Sequence, residues 1–282
     1  MQLISATILI GLLLSIVFFI REEHGKLTKE ALRVRTLARF AAAVWSMTTL
    51  GYLFLTLTSI LNVPITDSFD KLVIRSFLFQ TALGKSFLIT FIASVLVNVL
   101  LLPVKKNGSV FLIMCMAFIG IFAPVYQAHS SSSGNHGLAT GSLIFHVFFI
   151  TLWVGGVIGL IVIAPGERES SLPRFSAMAF WAAIGVVLTG SINALVRLNS
   201  WAAWKSFYAN LLIDKIFLSG ILLFIGYKHR QYLVAKLSGS KKIYKLLLGE
   251  VLLMILTLGI GGWLSNTNYP QSNNPNENEL VL

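Results

Sequence analysis

Histidine is scarce in this 282-residue chain, with five in all. Three of them, His129, His136 and His146, fall within one stretch of 18 residues. Neutral imidazole is a borderline ligand that suits copper, zinc and iron. A set drawn from a short Ser/Gly-rich loop (Ser130–Ser133, Gly134, Gly137) and two helix ends can converge on one ion. The spacings of seven and ten residues match no standard zinc motif. Exposed loop residues are an equally good reading of His129 and His136. His146 is different, because it lies about one and a half turns inside an apolar run. An ionisable side chain there is costly and usually faces the bundle interior or a water-filled cavity. His24 and His229 fall among basic residues and read as solvated surface histidines.

Other polar groups gather at the depth of His146. Asn193 and Arg197 end one apolar run, and Asp214 and Lys215 begin the next. Two readings are open. Arg197 and Asp214 pair as interhelical glue with Asn193 as a hydrogen-bond donor, or the four residues form a polar vestibule beside His146. Adjacent Asp214 and Lys215 point in different directions on a helix and need not pair with each other. Glu250 and Asn98 are further polar residues inside apolar runs. Met114, Cys115 and Met116 are soft donors, but consecutive helical residues cannot all face one ion. Met47, Met178 and Met254 lie in separate runs. Gly155 and Gly159 form a small-xxx-small pair that favours close helix packing. No nucleotide loop, nucleophile elbow, zincin motif or paired-carboxylate site occurs, so no enzymatic activity is expected.

The elements that must position these groups are membrane helices. Apolar residues make up 56% of the chain and charged residues only 12%, about half the charged fraction of a soluble domain. A spanning helix needs about 20 mostly apolar residues. Eight runs qualify, at residues 3–20, 40–61, 86–104, 109–128, 141–164, 176–196, 211–227 and 246–264. They are continuously apolar and do not alternate, which favours helices over a barrel. The expectation is an all-α polytopic bundle of about eight transmembrane helices, forming a single domain over residues 1–264. Residues 69–83 mix apolar and charged side chains and suit an interfacial amphipathic helix. The Asn-, Pro- and Ser-rich tail, 265–282, is expected to be disordered.

Charge orients the bundle. The connections 21–39, 105–108, 165–175 and 228–245 carry sixteen Lys and Arg, against six on the other side. By the positive-inside rule the former are cytoplasmic and both termini lie outside. The net charge of +11 is thereby accounted for without nucleic acid. The three clustered histidines then belong to the outer face. The start of the first run lacks the positive flank of a secretory signal, which suits a retained anchor. A single cysteine excludes an internal disulfide framework.

Taken together, Ala128-His129-Ser-Ser-Ser-Ser-Gly-Asn-His136, Ser142-Leu-Ile-Phe-His146 and Leu152-Trp153-Val-Gly-Gly156 resemble the central signature of the CopD copper-resistance family. The likeness is greatest to the actinobacterial form, in which this domain is often fused to a cytochrome oxidase assembly domain. Arg174-Phe175-Ser176, Gly190-Ser-Ile-Asn193, Arg197, Lys215, His229-Arg230 and Glu250-Val-Leu-Leu-Met254 extend the resemblance. It covers roughly residues 35–265 and is strongest over 128–264. Gln127 stands where a glycine is expected, Asp214 at a usually apolar position, and the first run has no histidine. The resemblance implies an eight-helix protein of the bacterial plasma membrane that handles copper, moving it inward from the outer face. It makes His129, His136 and His146 the copper ligands. A copper chaperone or an oxidase assembly protein becomes a candidate partner.

Two rival functions remain at this level. Two histidines at matched depth can ligate a b-type haem, with His129 and His146 as the outer pair and His24 and His229 as the inner one. A non-transporting scaffold for oxidase biogenesis is the other. Histidine ligands must be neutral, so copper binding is expected to weaken as pH falls through about 6.5, the ordinary imidazole value.

Overall fold

Lipid supplies no hydrogen bonds, so each apolar run must satisfy its own backbone, and the runs fold as helices. The computed structural model describes residues 2–23, 25–62, 70–127, 136–198, 201, 203–234 and 240–267. Nine α-helices occur among them, and no strand: α1 (Gln2–Leu14), α2 (Lys29–Leu61), α3 (Lys71–Gln80), α4 (Ala82–Leu100), α5 (Asn107–Gln127), α6 (His136–Val162), α7 (Pro165–Arg197), α8 (Phe207–Val234) and α9 (Ser240–Asn266). α1 widens at its end into a π-helical turn, Ser15–Phe19. Counting α1 together with its π-helical turn, eight of these helices, all but α3, are long and apolar enough to cross a membrane. They coincide with the eight runs read from the sequence.

Local chemistry sets the helix ends. Thr28 caps α2 by accepting from the Ala31 amide at 3.3 Å, and Asp70 caps α3 through the Leu72 amide at 2.7 Å. Thr81 caps α4 by accepting from the Gly84 amide at 2.9 Å. Side-chain caps of this kind satisfy amides that have no partner inside the helix. α7 begins on Pro165, whose missing amide proton costs nothing at that position. α2 and α7 therefore start eleven residues before their apolar runs. The third run was expected to extend to Val104, but α4 stops at Leu100 because Pro103 cannot continue a helix. His136, expected in a loop, instead opens α6. No proline intervenes between it and the apolar run. Residues 268–282, most of the expected disordered tail, lie outside the described residues.

α1 is the innermost helix, with 67% of its span buried, against 17% for the span of α8. It packs on α2, α5 and α6. α4 lies against α2 and α5, α6 against α7 and α9, and α8 against α9. The close contact of α1 with α6 rests on small residues. A Cβ at Gly11 would fall on the carbonyl of Gly155, and one at Gly159 would lie 2.5 Å from the Gly11 carbonyl oxygen. Gly155 and Gly159 thus serve packing, as their spacing predicts. Their partners on α1 are Thr7, Gly11 and Ser15, also four residues apart.

The basic face is fastened by side chains that bond backbone carbonyls. The buried Arg168 guanidinium donates to the carbonyls of Leu160, Ile161 and Ile163 at 2.7, 2.9 and 3.0 Å, and so closes the end of α6. Ser171 and Arg174 donate to the Phe19 carbonyl at the end of the π-helical turn, at 2.6 and 3.1 Å. Glu30 on α2 accepts the Ala164 amide at 3.1 Å, at the start of α7.

Candidate metal-entry site

The end of the bundle opposite the basic loops holds a polar seam between α6 and α7. It has two rungs, each joining residues four apart on their own helices. In the inner rung, His146 Nδ1 lies 2.9 Å from the Thr189 hydroxyl. In the outer rung, the Ser142 hydroxyl donates to Asn193 Oδ1 at 2.7 Å. His146 is 7% exposed and Thr189 9%. Gly190 gives the ring its room, since a Cβ there would come within 3.1 Å of His146 Cε1.

The hydrogen-bond chain fixes the tautomer. Thr189 spends its one hydroxyl proton on the Gly185 carbonyl, at 2.5 Å. Toward His146 it can only accept, so Nδ1 carries the ring proton. Nε2 then holds the lone pair, the form in which a neutral imidazole binds a metal. A second partner that orients a ligating ring in this way is the usual companion of a metal histidine. Asn193 Nδ2 is buried with no acceptor among the described residues, a second polar atom at this level with unused bonding capacity.

Of the vestibule residues read from the sequence, Asn193 joins the seam directly. Lys215, half-buried on α8, places its ammonium against Gly261 of α9. It and Arg197 lie within electrostatic reach of the His146 ring. Arg197 donates to the Tyr208 hydroxyl at 2.9 Å. Asp214 lies exposed on α8. His129 and the side chain of His136 lie outside the described residues, as do His24 and the side chain of His229. Among the described residues no group of three His, Cys, Asp or Glu side chains comes together. The soft donors diverge as consecutive helical residues must: Met114 is buried and Cys115 exposed. Met47 is 74% exposed, whereas Met254 and Glu250 are buried. Sequence reasoning missed Thr189 and Ser142. The signal was there, in two polar pairs four residues apart on successive apolar runs.

These features define a polytopic helical membrane protein with an oriented histidine buried in its helix bundle. Comparison with protein families says which one. Copper resistance protein D matches residues 169–264, and the Copper resistance protein D-like N-terminal domain matches residues 1–138. The chain belongs to the CopD family of copper resistance membrane proteins. Asn193, Arg197, Asp214 and Lys215 fall inside the first match and His129 and His136 inside the second, while His146 lies between the two. No curated protein and no solved structure matches the chain.

Proposed function

We propose that this protein takes up copper at the face bearing the histidine seam and passes it inward across a bacterial plasma membrane. The observation that carries this reading is the His146–Thr189 pair. It leaves Nε2 of a buried imidazole as a metal ligand in a protein of a copper-resistance family. His136 opens α6, ten residues or about 15 Å of helix from His146, so His129 and His136 would receive the ion at the mouth of the bundle ahead of His146 rather than share one coordination sphere with it. The positive-inside distribution makes this mouth external. We read residues 1–264 as one unit, since α1, from the N-terminal match, packs along α6, and α6 packs along α7, which runs into the second match. Copper is the cargo here. Its release on the basic face calls for a soluble acceptor, a chaperone or an oxidase assembly protein. No enzymatic step is needed.

The test is copper flux into proteoliposomes, with and without a membrane potential, for the wild type and for His129→Ala, His136→Ala and His146→Ala. Loss of flux in His146→Ala is expected. Wild-type flux in all three variants would sink the site. A stoichiometric Soret band in the purified protein would favour haem ligation.

A further inference from the structure

At the opposite end of the bundle, α2 carries Arg35 and Arg39 one turn apart, on one face of the helix. Both are half-buried. The Arg35 guanidinium donates through Nη1 to the Val104 carbonyl at 2.6 Å. The Nε of Arg35 and the Nε of Arg39 are buried and have no acceptor among the described residues. Among the described residues neither guanidinium has a carboxylate within ion-pair distance. Two of the acids nearest in sequence are committed elsewhere. Glu30 accepts from Arg33 and from the Ala164 amide, and Glu22 accepts the Asn107 amide at 3.0 Å. The turn that receives Arg35 continues into exposed Lys105 and Lys106. Lys105 is held beside α2 by a bond from the Leu27 amide to its carbonyl, 2.9 Å long.

This is a surplus of donors and of positive charge at the edge of the membrane. An arginine has five N–H donors in a rigid fork, and two such forks here use one acceptor between them among the described residues. Burying a guanidinium without a counter-charge is costly. The surrounding surface indicates where the counter-charge comes from. Leu37 and Phe40, beside the two arginines on α2, are 39% and 72% exposed and lie at the start of the apolar run. A bilayer would lay acyl chains against Phe40 and place its phosphates at the level of Arg39 and Arg35.

We infer that Arg35 and Arg39, with Lys105 and Lys106 at the rim, form a phosphate-binding site on the basic face, filled by the headgroup of an anionic phospholipid. The forked guanidinium matches two phosphate oxygens at once, which a lysine ammonium does not. Basic pockets between membrane helices on the cytoplasmic side are known to hold such headgroups.

The test compares binding of phosphatidylglycerol by the purified full chain, using native mass spectrometry and thermal unfolding in nanodiscs with and without that lipid. Charge-assisted hydrogen bonds of this kind are worth at least about tenfold in affinity. The R35Q/R39Q variant is expected to lose phosphatidylglycerol binding by that factor, together with the lipid-dependent rise in unfolding temperature. R35K/R39K keeps the charge without the fork and should fall between, and it carries the test if the glutamine variant does not fold. R21Q/K228Q removes the same charge from exposed positions of the same face and should bind as the wild type does. Equal loss in the two glutamine variants would reduce the effect to net charge and overturn the site. So would undiminished binding in R35Q/R39Q. Inorganic phosphate added to phosphatidylcholine nanodiscs separates the sources. An equal stabilisation by phosphate alone would overturn the lipid assignment.

Discussion

The Thr189 hydroxyl stands between the Gly185 carbonyl of its own helix and Nδ1 of His146 on the neighbouring one, 2.9 Å away. Its proton goes to the carbonyl, which sets the proton of His146 on Nδ1. Thr189→Val keeps the shape and removes the acceptor, so the ring loses its fixed tautomer. Copper affinity is expected to drop about ten- to a hundredfold, the usual cost of losing such a partner. Thr189→Ser should restore it. The nitrogen-15 shifts of the His146 ring in the metal-free protein read the tautomer directly. An unchanged Nδ1–H signature in Thr189→Val would refute the arrangement whatever copper does.

Lys215 and Arg197 bear on the same ring electrostatically. A copper ion at Nε2 must approach against their charges. Lys215→Met keeps the length of the side chain against Gly261 and removes one charge. Copper affinity at the seam should rise by about tenfold or more, since a unit charge roughly 10 Å from a monovalent ion at an effective dielectric near 20 costs about 1.7 kcal/mol. Isothermal titration in low salt measures it. A fall in affinity would instead make the Lys215 amine part of the ligand set.

How much of this was legible depends on what the environment enforces. The eight spans were readable because lipid demands runs of about 20 apolar residues. The true ends of α2 and α7 were not, because their first three turns lie beyond the apolar run and are held by Thr28 and Pro165. His146 stood out as an ionisable group inside an apolar run. Thr189 did not, since a threonine in a membrane helix commonly bonds its own backbone, and only the pairing of α6 with α7 gives it a second role. Depth alone makes Asp214 a vestibule candidate or a partner for Arg197. Its azimuth on α8 turns it outward, and a list of depths carries no azimuth. Gly155 and Gly159 were read as a packing pair, but Gly11 was invisible until α1 was seen to lie across them.

That contact makes a sharp stability test. A methyl group at Gly11 meets the backbone of Gly155, whereas one at Gly51 on α2 meets nothing within 4 Å. Gly11→Ala is expected to cost about 1–3 kcal/mol through overpacking. Gly51→Ala should be neutral or stabilising by up to about 1 kcal/mol, from backbone entropy. Thermal unfolding in detergent distinguishes them. Equal midpoints would mean that α1 is not seated on α6.

The direction of copper movement turns on which face the seam occupies, and two exposed positions decide it. Gly137 lies in the first turn of α6 with nothing within 4 Å of an added Cβ, and Lys106 is exposed just before α5. α5 separates the two levels by 21 residues, or about 31 Å of helix, the thickness of the hydrocarbon core. Cys115 is the single native cysteine, so Cys115→Ser gives a clean background. In right-side-out vesicles a membrane-impermeant maleimide should label Gly137→Cys and leave Lys106→Cys unmodified until the membrane is opened. Inside-out vesicles should show the reverse. The opposite pattern would put the His146 seam on the cytoplasmic face, and the same ligands would then load copper for export.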